Sequence, residues 1–163
     1  SFNLAAQHVA YMFSDNQEYI DTLQKNGHQR RSLNALGMIA CNAAYLHGAQ
    51  YMDDMQSYID GNCHFLENFL AENIPDIKYK VHEGTYLAFI DCTAIAAKLG
   101  GPKDDQTVGK LVQDFFIQKA GVNINPGESY GKNAVGLMRM NLATTHKKLH
   151  GALNAMKKAV DAI

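Results

Sequence analysis

The feature that most constrains this chain is a turn-rich segment, Asn123-Ile124-Asn125-Pro126-Gly127-Glu128-Ser129-Tyr130-Gly131, that soon leads into Gly136-Leu137-Met138-Arg139-Met140-Asn141-Leu142-Ala143. Pro126, Gly127 and Gly131 mark a turn, and the apolar run after Gly136 marks a short strand whose one charged residue is Arg139. Side chains alternate across a strand, so Arg139 is expected to leave on the face opposite Met138 and Met140. A guanidinium stays charged at any working pH and offers a planar fork that matches a carboxylate at two points. Two readings follow from residue type alone. Either Arg139 grips the carboxylate of an amino-acid or keto-acid substrate, or it pairs with a structural Asp or Glu or points to water from an edge strand.

Composition excludes several classes. The chain has 163 residues, enough for one domain of ordinary size to bury a core. With a formal net charge of -1 and no Lys/Arg run interleaved with aromatics, it lacks the electrostatic footprint of a nucleic-acid binder. No apolar run approaches the ~20 residues of a spanning helix, and no basic-then-apolar leader opens the sequence. Cys41, Cys63 and Cys92 are an odd set without Cys-x-x-Cys spacing, which points to a reducing cytoplasm. His146 and His150 stand four apart on an expected helix. With no third ligand near them in sequence they read as a solvated helix face, and no metal site is expected. The other histidines form no recognisable relay with a serine or cysteine. Gly127 to Lys132 is not a phosphate loop, because the glycine spacing is one short and Asn133 stands where a hydroxyl residue would hold magnesium.

Along the chain, Gln7 to Ser14 is apolar enough for a buried strand. Asp15 is then placed to cap a helix through Tyr19, Ile20 and Leu23 that ends at Gly27. Arg30-Arg31 opens a second helix, Ser32 to Leu46, which is apolar nearly all round and is expected to be buried on more than one side. Ala49 to Asn73 repeats apolar residues at three- and four-residue intervals, a long amphipathic helix closed by Pro75. Its acidic residues Asp53, Asp54, Asp60, Glu67 and Glu72 read as a solvated face or as partners of Lys147, Lys148, Lys157 and Lys158. Lys78 to Val81 and Thr85 to Asp91 read as two strands around Glu83-Gly84. After a Gly100-Gly101-Pro102 loop, Asp104 or Asp105 caps a helix carrying Val108, Leu111, Val112, Phe115 and Phe116 and stopping at Gly121. A final helix from Thr145 carries Leu149, Leu153, Met156 and Val160. No internal repeat appears. This order reads as α+β, a small mixed or antiparallel sheet covered by helices on one face.

The pattern Gly-x-x-x-Gly-x-x-x-x-Gly-x-x-Arg-x-Asn-x-Ala, from Gly127 to Ala143, after the Ala120-Gly121-Val122 turn, resembles the C-terminal signature of the pyridoxal-phosphate-dependent aminotransferase class I/II superfamily. The chain looks closest to the cystathionine β-lyase branch, the carbon-sulfur lyases related to MalY and PatB. Ser1-Phe2-Asn3-Leu4-Ala5 resembles the residues that follow the cofactor-bearing lysine there. Gly61-Asn62 with Phe65-Leu66 and Phe69-Leu70 resembles the long interdomain helix. Gly84-Thr85-Tyr86-Leu87-Ala88-Phe89-Ile90-Asp91 resembles a Gly-Thr-Tyr-Leu-x-Trp-x-Asp strand, with Phe89 in place of Trp. The chain departs from the pattern at Ala6, where the family usually has Gly, and at Tyr130, where it usually has Phe.

The resemblance implies an α/β protein of fold type I. Residues 1–30 would be a remnant of the large cofactor-binding domain and 31–163 the small domain with its interdomain helix. It implies a fragment whose Schiff-base lysine, most cofactor contacts and substrate tyrosines lie upstream of Ser1, leaving no catalytic residue here and Arg139 as the substrate-binding residue. The complete enzyme would be a cytoplasmic homodimer that uses pyridoxal 5'-phosphate to split cystathionine or a cysteine S-conjugate into thiol, pyruvate and ammonia. The lysine would take the α-proton and the cofactor ring would act as electron sink. An aminotransferase is the alternative, and a non-catalytic interaction module a second one.

Overall fold

The computed structural model describes residues 2–26, 34–103 and 105–163. They fall into two compact units, 1–56 and 57–163.

In the first unit Asn16 accepts from the Glu18 N–H at 3.0 Å and opens helix α1, Gln17–Lys25. Asn34 accepts from the Leu36 N–H at 3.1 Å and opens α2, Ala35–His47. The side-chain oxygen that caps α1 is thus one residue beyond the expected Asp15. A cap must sit with extended backbone directly before the first turn, and Asn16 does. The expected stop at Gly27 and start at Arg30, Arg31, Ser32 and Leu33 lie outside the described residues.

The strand expected over Gln7 to Ser14 is not formed. A strand needs a neighbouring ladder for its N–H and C=O groups, whereas this stretch has beside it α2, whose backbone bonds are already made within the helix. Its aromatics pack singly: Tyr11 meets Tyr45 edge-on at 5.9 Å, Phe2 meets Tyr45 at 5.6 Å, and Phe13 remains 85% exposed. Nor is α2 buried on several sides as its all-round apolarity suggests. Only Gly37 is buried, while Leu36, Ile39 and Leu46 are each well over half exposed, because the described residues of this unit cover little of the helix.

Helix α3, Ala49–Asn73, has the bounds expected from its periodicity. In the second unit it contributes Cys63, Leu66, Phe69 and Leu70 to a core shared with the inner face of a three-stranded antiparallel sheet. The strands are β1, Leu87–Asp91; β2, Asn125–Pro126; and β3, Leu137–Asn141, with β3 in the middle. Ala88 and Ile90 of β1 and Met138 and Met140 of β3 point inward and are buried. Helices α5, Val108–Ala120, and α6, His146–Val160, pack on that side with Val112, Phe115, Phe116, Leu149, Leu153 and Met156. Each large apolar side chain removed from water there contributes roughly 1.5–3 kcal/mol. The sheet is antiparallel throughout, as one of the two expected forms.

Two local expectations are corrected, and one element is additional. Lys78 to Val81 makes only a bridge between Lys78 and Asp91, because the segment turns away after one pair: the Val81 N–H donates to Glu67 Oε1 at 3.2 Å. Helix α5 is capped by Thr107, which accepts from the Lys110 N–H at 3.2 Å, and not by Asp105; Asp104 lies outside the described residues. A cap two residues earlier would be out of reach of the first turn's N–H groups. A short helix, α4, Thr93–Lys98, was not foreseen. Its apolar Ile95 and Ala96 are too few to show a period. Helix α6 starts directly after Thr145, close to the expected start, and Thr145 is its cap, accepting from the Lys148 N–H.

Candidate substrate-carboxylate site

The outer face of the sheet carries a row of three side chains in register. Phe89 of β1 and Asn125 of β2 both stand opposite Arg139 of β3. Strand alternation sends Met138 and Met140 into the core and Arg139 out, as expected, and the arginine is half-buried.

The loop before β3 supplies the remaining wall. After Pro126 the chain makes a single 3-10 turn, Gly127–Tyr130. Gly127 is required there by close approach: a Cβ would lie 2.6 Å from the carbonyl oxygens of both Ala134 and Leu137. This tight return puts the Tyr130 ring against Arg139, with the guanidinium carbon 4.2 Å from the ring centroid. Phe89 meets Tyr130 edge-on, with centroids 6.0 Å apart and planes at 79°. The Asn125 amide donates to the Tyr130 hydroxyl at 3.4 Å.

Beside this cluster an open depression of about 540 Å³ is lined by Phe89, Tyr130, Lys132, Asn133, Ala134 and Leu137. Among the described residues Arg139 has no carboxylate partner within ion-pair distance; the pairs present join Lys98 to Asp76, Lys110 to Asp114, Lys157 to Asp161 and His64 to Asp60. Among the described residues the geometry thus contains no structural ion pair at Arg139, and its strand is the middle one of the sheet rather than an edge. Tyr130, Phe89 and Asn125 were not singled out as site residues in the sequence. The one available signal was that Tyr130 and Phe89 both fall where the resemblance expects a different aromatic.

The other candidates lie elsewhere. His146 and His150 rest on Phe65, at centroid distances of 4.2 and 5.7 Å, and both histidines are exposed. No group of three or more His, Cys, Asp or Glu among the described residues could hold a metal. Lys157 pairs with Asp161, just past the end of its own helix, rather than with the acidic residues of α3, and Glu67 accepts from the backbone of Val81. Burial pushes the Cys92 thiol well up, with the nearby Asp91 carboxylate adding to it, so the thiol stays protonated and unreactive. No helix among the described residues is long and apolar enough to cross a membrane.

The fold is that of pyridoxal-phosphate-dependent enzymes of transferase fold type I. The pyridoxal-phosphate-bound C-S lyase of Staphylococcus hominis, in complex with L-cycloserine, matches 90% of this chain and 36% of its own at 30% identity and a TM-score of 0.77. Within that class the homologues of this chain are the MalY/PatB cystathionine β-lyases and C-S lyases. Cystathionine beta-lyase PatB of Bacillus subtilis is 29% identical over 98% of the chain and 39% of its own length. Protein MalY of Escherichia coli is 26% identical over all of the chain and 40% of its own length. The aspartate aminotransferase of Pyrococcus horikoshii matches a shorter stretch, at 26% identity over 55% of the chain and 20% of its own length. No family model matches. The chain therefore spans about two fifths of the length of the curated relatives it matches in full.

Proposed function

We propose that the full-length protein is a pyridoxal-phosphate-dependent carbon-sulfur β-lyase acting on cystathionine or a cysteine S-conjugate, and that Arg139 holds the substrate α-carboxylate. The observation that carries this is a half-buried guanidinium without a carboxylate partner among the described residues, steadied on Tyr130 beside an open depression. Such a group has in-plane N–H donors free for a planar anion, which suits a substrate carboxylate better than a structural role.

The residues of this chain fit the substrate end of such a site and not the cofactor's anchor. The described lysines are exposed, apart from Lys157, which is half-buried and paired with Asp161. The cofactor-bearing lysine is accordingly assigned to a part of the protein outside this chain. When bound, the cofactor would withdraw electrons from the substrate Cα. Arg139, by gripping the carboxylate at two points, fixes how the bonds at Cα are turned toward that electron sink. Phe89 and Tyr130 present apolar ring surface beside it and limit water at the carboxylate.

We read the full-length protein as a cytoplasmic homodimer; the free Cys41, Cys63 and Cys92 support the reducing compartment. The match to aminotransferases supports one alternative, in which the same grip serves amino transfer. A non-catalytic interaction module remains the third reading.

The test uses the full-length enzyme. kcat/KM is compared for an amino acid and its amide, with melting temperature in parallel. Arg139→Ala is expected to abolish the preference for the free carboxylate, costing about 2–5 kcal/mol, at little change in stability. Arg139→Lys should rescue little, since it keeps the charge and loses the fork. An undiminished preference in the alanine variant would remove Arg139 from the site.

A further inference from the structure

We infer that Tyr130 is the positioning residue for Arg139 and thereby sets how strongly a free carboxylate is preferred; this rests on the reading of Arg139 as the carboxylate grip. An arginine on the outer face of a sheet carries a long side chain with many rotamers, and each that leaves the productive pose weakens the grip. Here the guanidinium carbon sits 4.2 Å from the Tyr130 ring centroid, inside the range where the ring's negative face attracts a cation.

The ring is itself held from three directions. Its backbone lies in the 3-10 turn, its ring packs nearly perpendicular to Phe89, and its hydroxyl accepts from Asn125. Phe89 and Asn125 are the two residues paired with Arg139 across the sheet. The strands that flank Arg139 therefore also fix the platform beneath it, so platform and arginine share one register. A ring against the guanidinium supplies no hydrogen-bond acceptor of carboxylate strength and leaves the in-plane N–H donors for the ligand. Tyr130 is half exposed, so its loss removes the platform at little cost to the core.

The experiment compares Tyr130→Ala, Tyr130→Phe and Arg139→Ala in the full-length, cofactor-loaded enzyme, with kcat and KM measured on one amino acid and its amide. Tyr130→Ala is expected to lower the carboxylate-to-amide preference by about 3- to 30-fold, chiefly through KM, while Tyr130→Phe stays within about twofold because the ring remains. A purely structural lesion would lower both substrates together and leave the ratio alone. If Arg139→Ala loses the preference and Tyr130→Ala keeps it, the positioning role is overturned and the carboxylate grip stands. If Arg139→Ala keeps it, both fall. If Tyr130→Phe drops as far as Tyr130→Ala, the hydroxyl and not the ring is responsible, and the inference as stated is overturned.

Discussion

The backbone N–H of Gly109, in the first turn of α5, donates to Glu128 Oε1 at 2.9 Å. This bond ties the start of a helix to the 3-10 turn that carries Tyr130, and the acid suits the positive end of the helix. The second carboxylate oxygen, Oε2, is buried without a hydrogen-bond partner among the described residues, so the contact is tight as well as polar.

Gly109→Ala is expected to destabilise the second unit. Alanine favours a helix by about 1 kcal/mol over glycine, but its Cβ would lie 2.1 Å from Glu128 Oε2 and 2.7 Å from Pro126 Cβ. Overpacking of this kind costs about 1–3 kcal/mol and wins. Chemical denaturation should show the loss, and adding Glu128→Ala should return part of it. A Gly109→Ala variant as stable as the parent would contradict the contact.

Asn62 is 2% exposed and its amide donates to the carbonyls of Leu142 and Thr144, both at 3.0 Å. These bonds fasten α3 to the chain just after β3. Asn62→Ala should cost about 1–3 kcal/mol, because the Thr144 carbonyl is left short of a donor while Leu142 keeps the Thr144 N–H. Asn62→Asp should cost more, since a carboxylate would face two carbonyl oxygens. Denaturant midpoints for the two variants in that order would bear this out; the reverse order would not.

The Cys92 thiol is fully buried and its folded pKa lies above the unfolded value. A group whose folded pKa is raised contributes stability that is complete below the unfolded pKa and is lost as pH rises toward the folded one. Unfolding free energy should therefore fall above pH ~8.5, by up to about 1.4 kcal/mol per pH unit for this one proton. Burial, followed by a hydrogen bond to Cys63, raises Tyr79 in the same direction, and a further decline should begin above pH ~10. Cys92→Ala should flatten the first part of the curve. An unchanged slope in that variant would exclude the thiol as its cause.

This chain alone should form no covalent adduct with pyridoxal phosphate. Its described lysines are exposed or, for Lys157, half-buried and ion-paired, and neither setting desolvates an amine enough to make it a good imine former. Borohydride reduction and peptide mass mapping should find no stoichiometric pyridoxyl-lysine. An adduct concentrated on one residue would refute the assignment of the cofactor's anchor to another part of the protein.

The chain by itself should also self-associate. Tyr11, Met12 and Phe13, with Leu36, Ile39 and Leu46 of α2, are exposed, and apolar surface of this kind is seldom left to water. Sedimentation velocity should show oligomers whose proportion rises with concentration. A monomer over a hundredfold range, about 0.1 to 10 times the usual working concentration, would count against the exposed surface as an interface.

What the sequence determined by itself was whatever depends on near neighbours. The apolar stripes of α3, α5 and α6 follow from a 3.6-residue period, and the outward placement of Arg139 from a period of two. Both survive in the structure because the core needs one apolar face from each element. Tertiary structure decided the rest. Whether Gln7 to Ser14 and Lys78 to Val81 became strands depended on a hydrogen-bonding neighbour that no local pattern can supply. Whether α2 was buried depended on what covers it, which its own composition does not state. The surroundings of Arg139 were the least legible of all. Phe89, Asn125 and Tyr130 are up to 50 positions away in the chain and reach it only through strand register and the return of a tight loop. Periodicity fixes which face a residue takes, and only the pairing of distant segments fixes what stands on that face beside it.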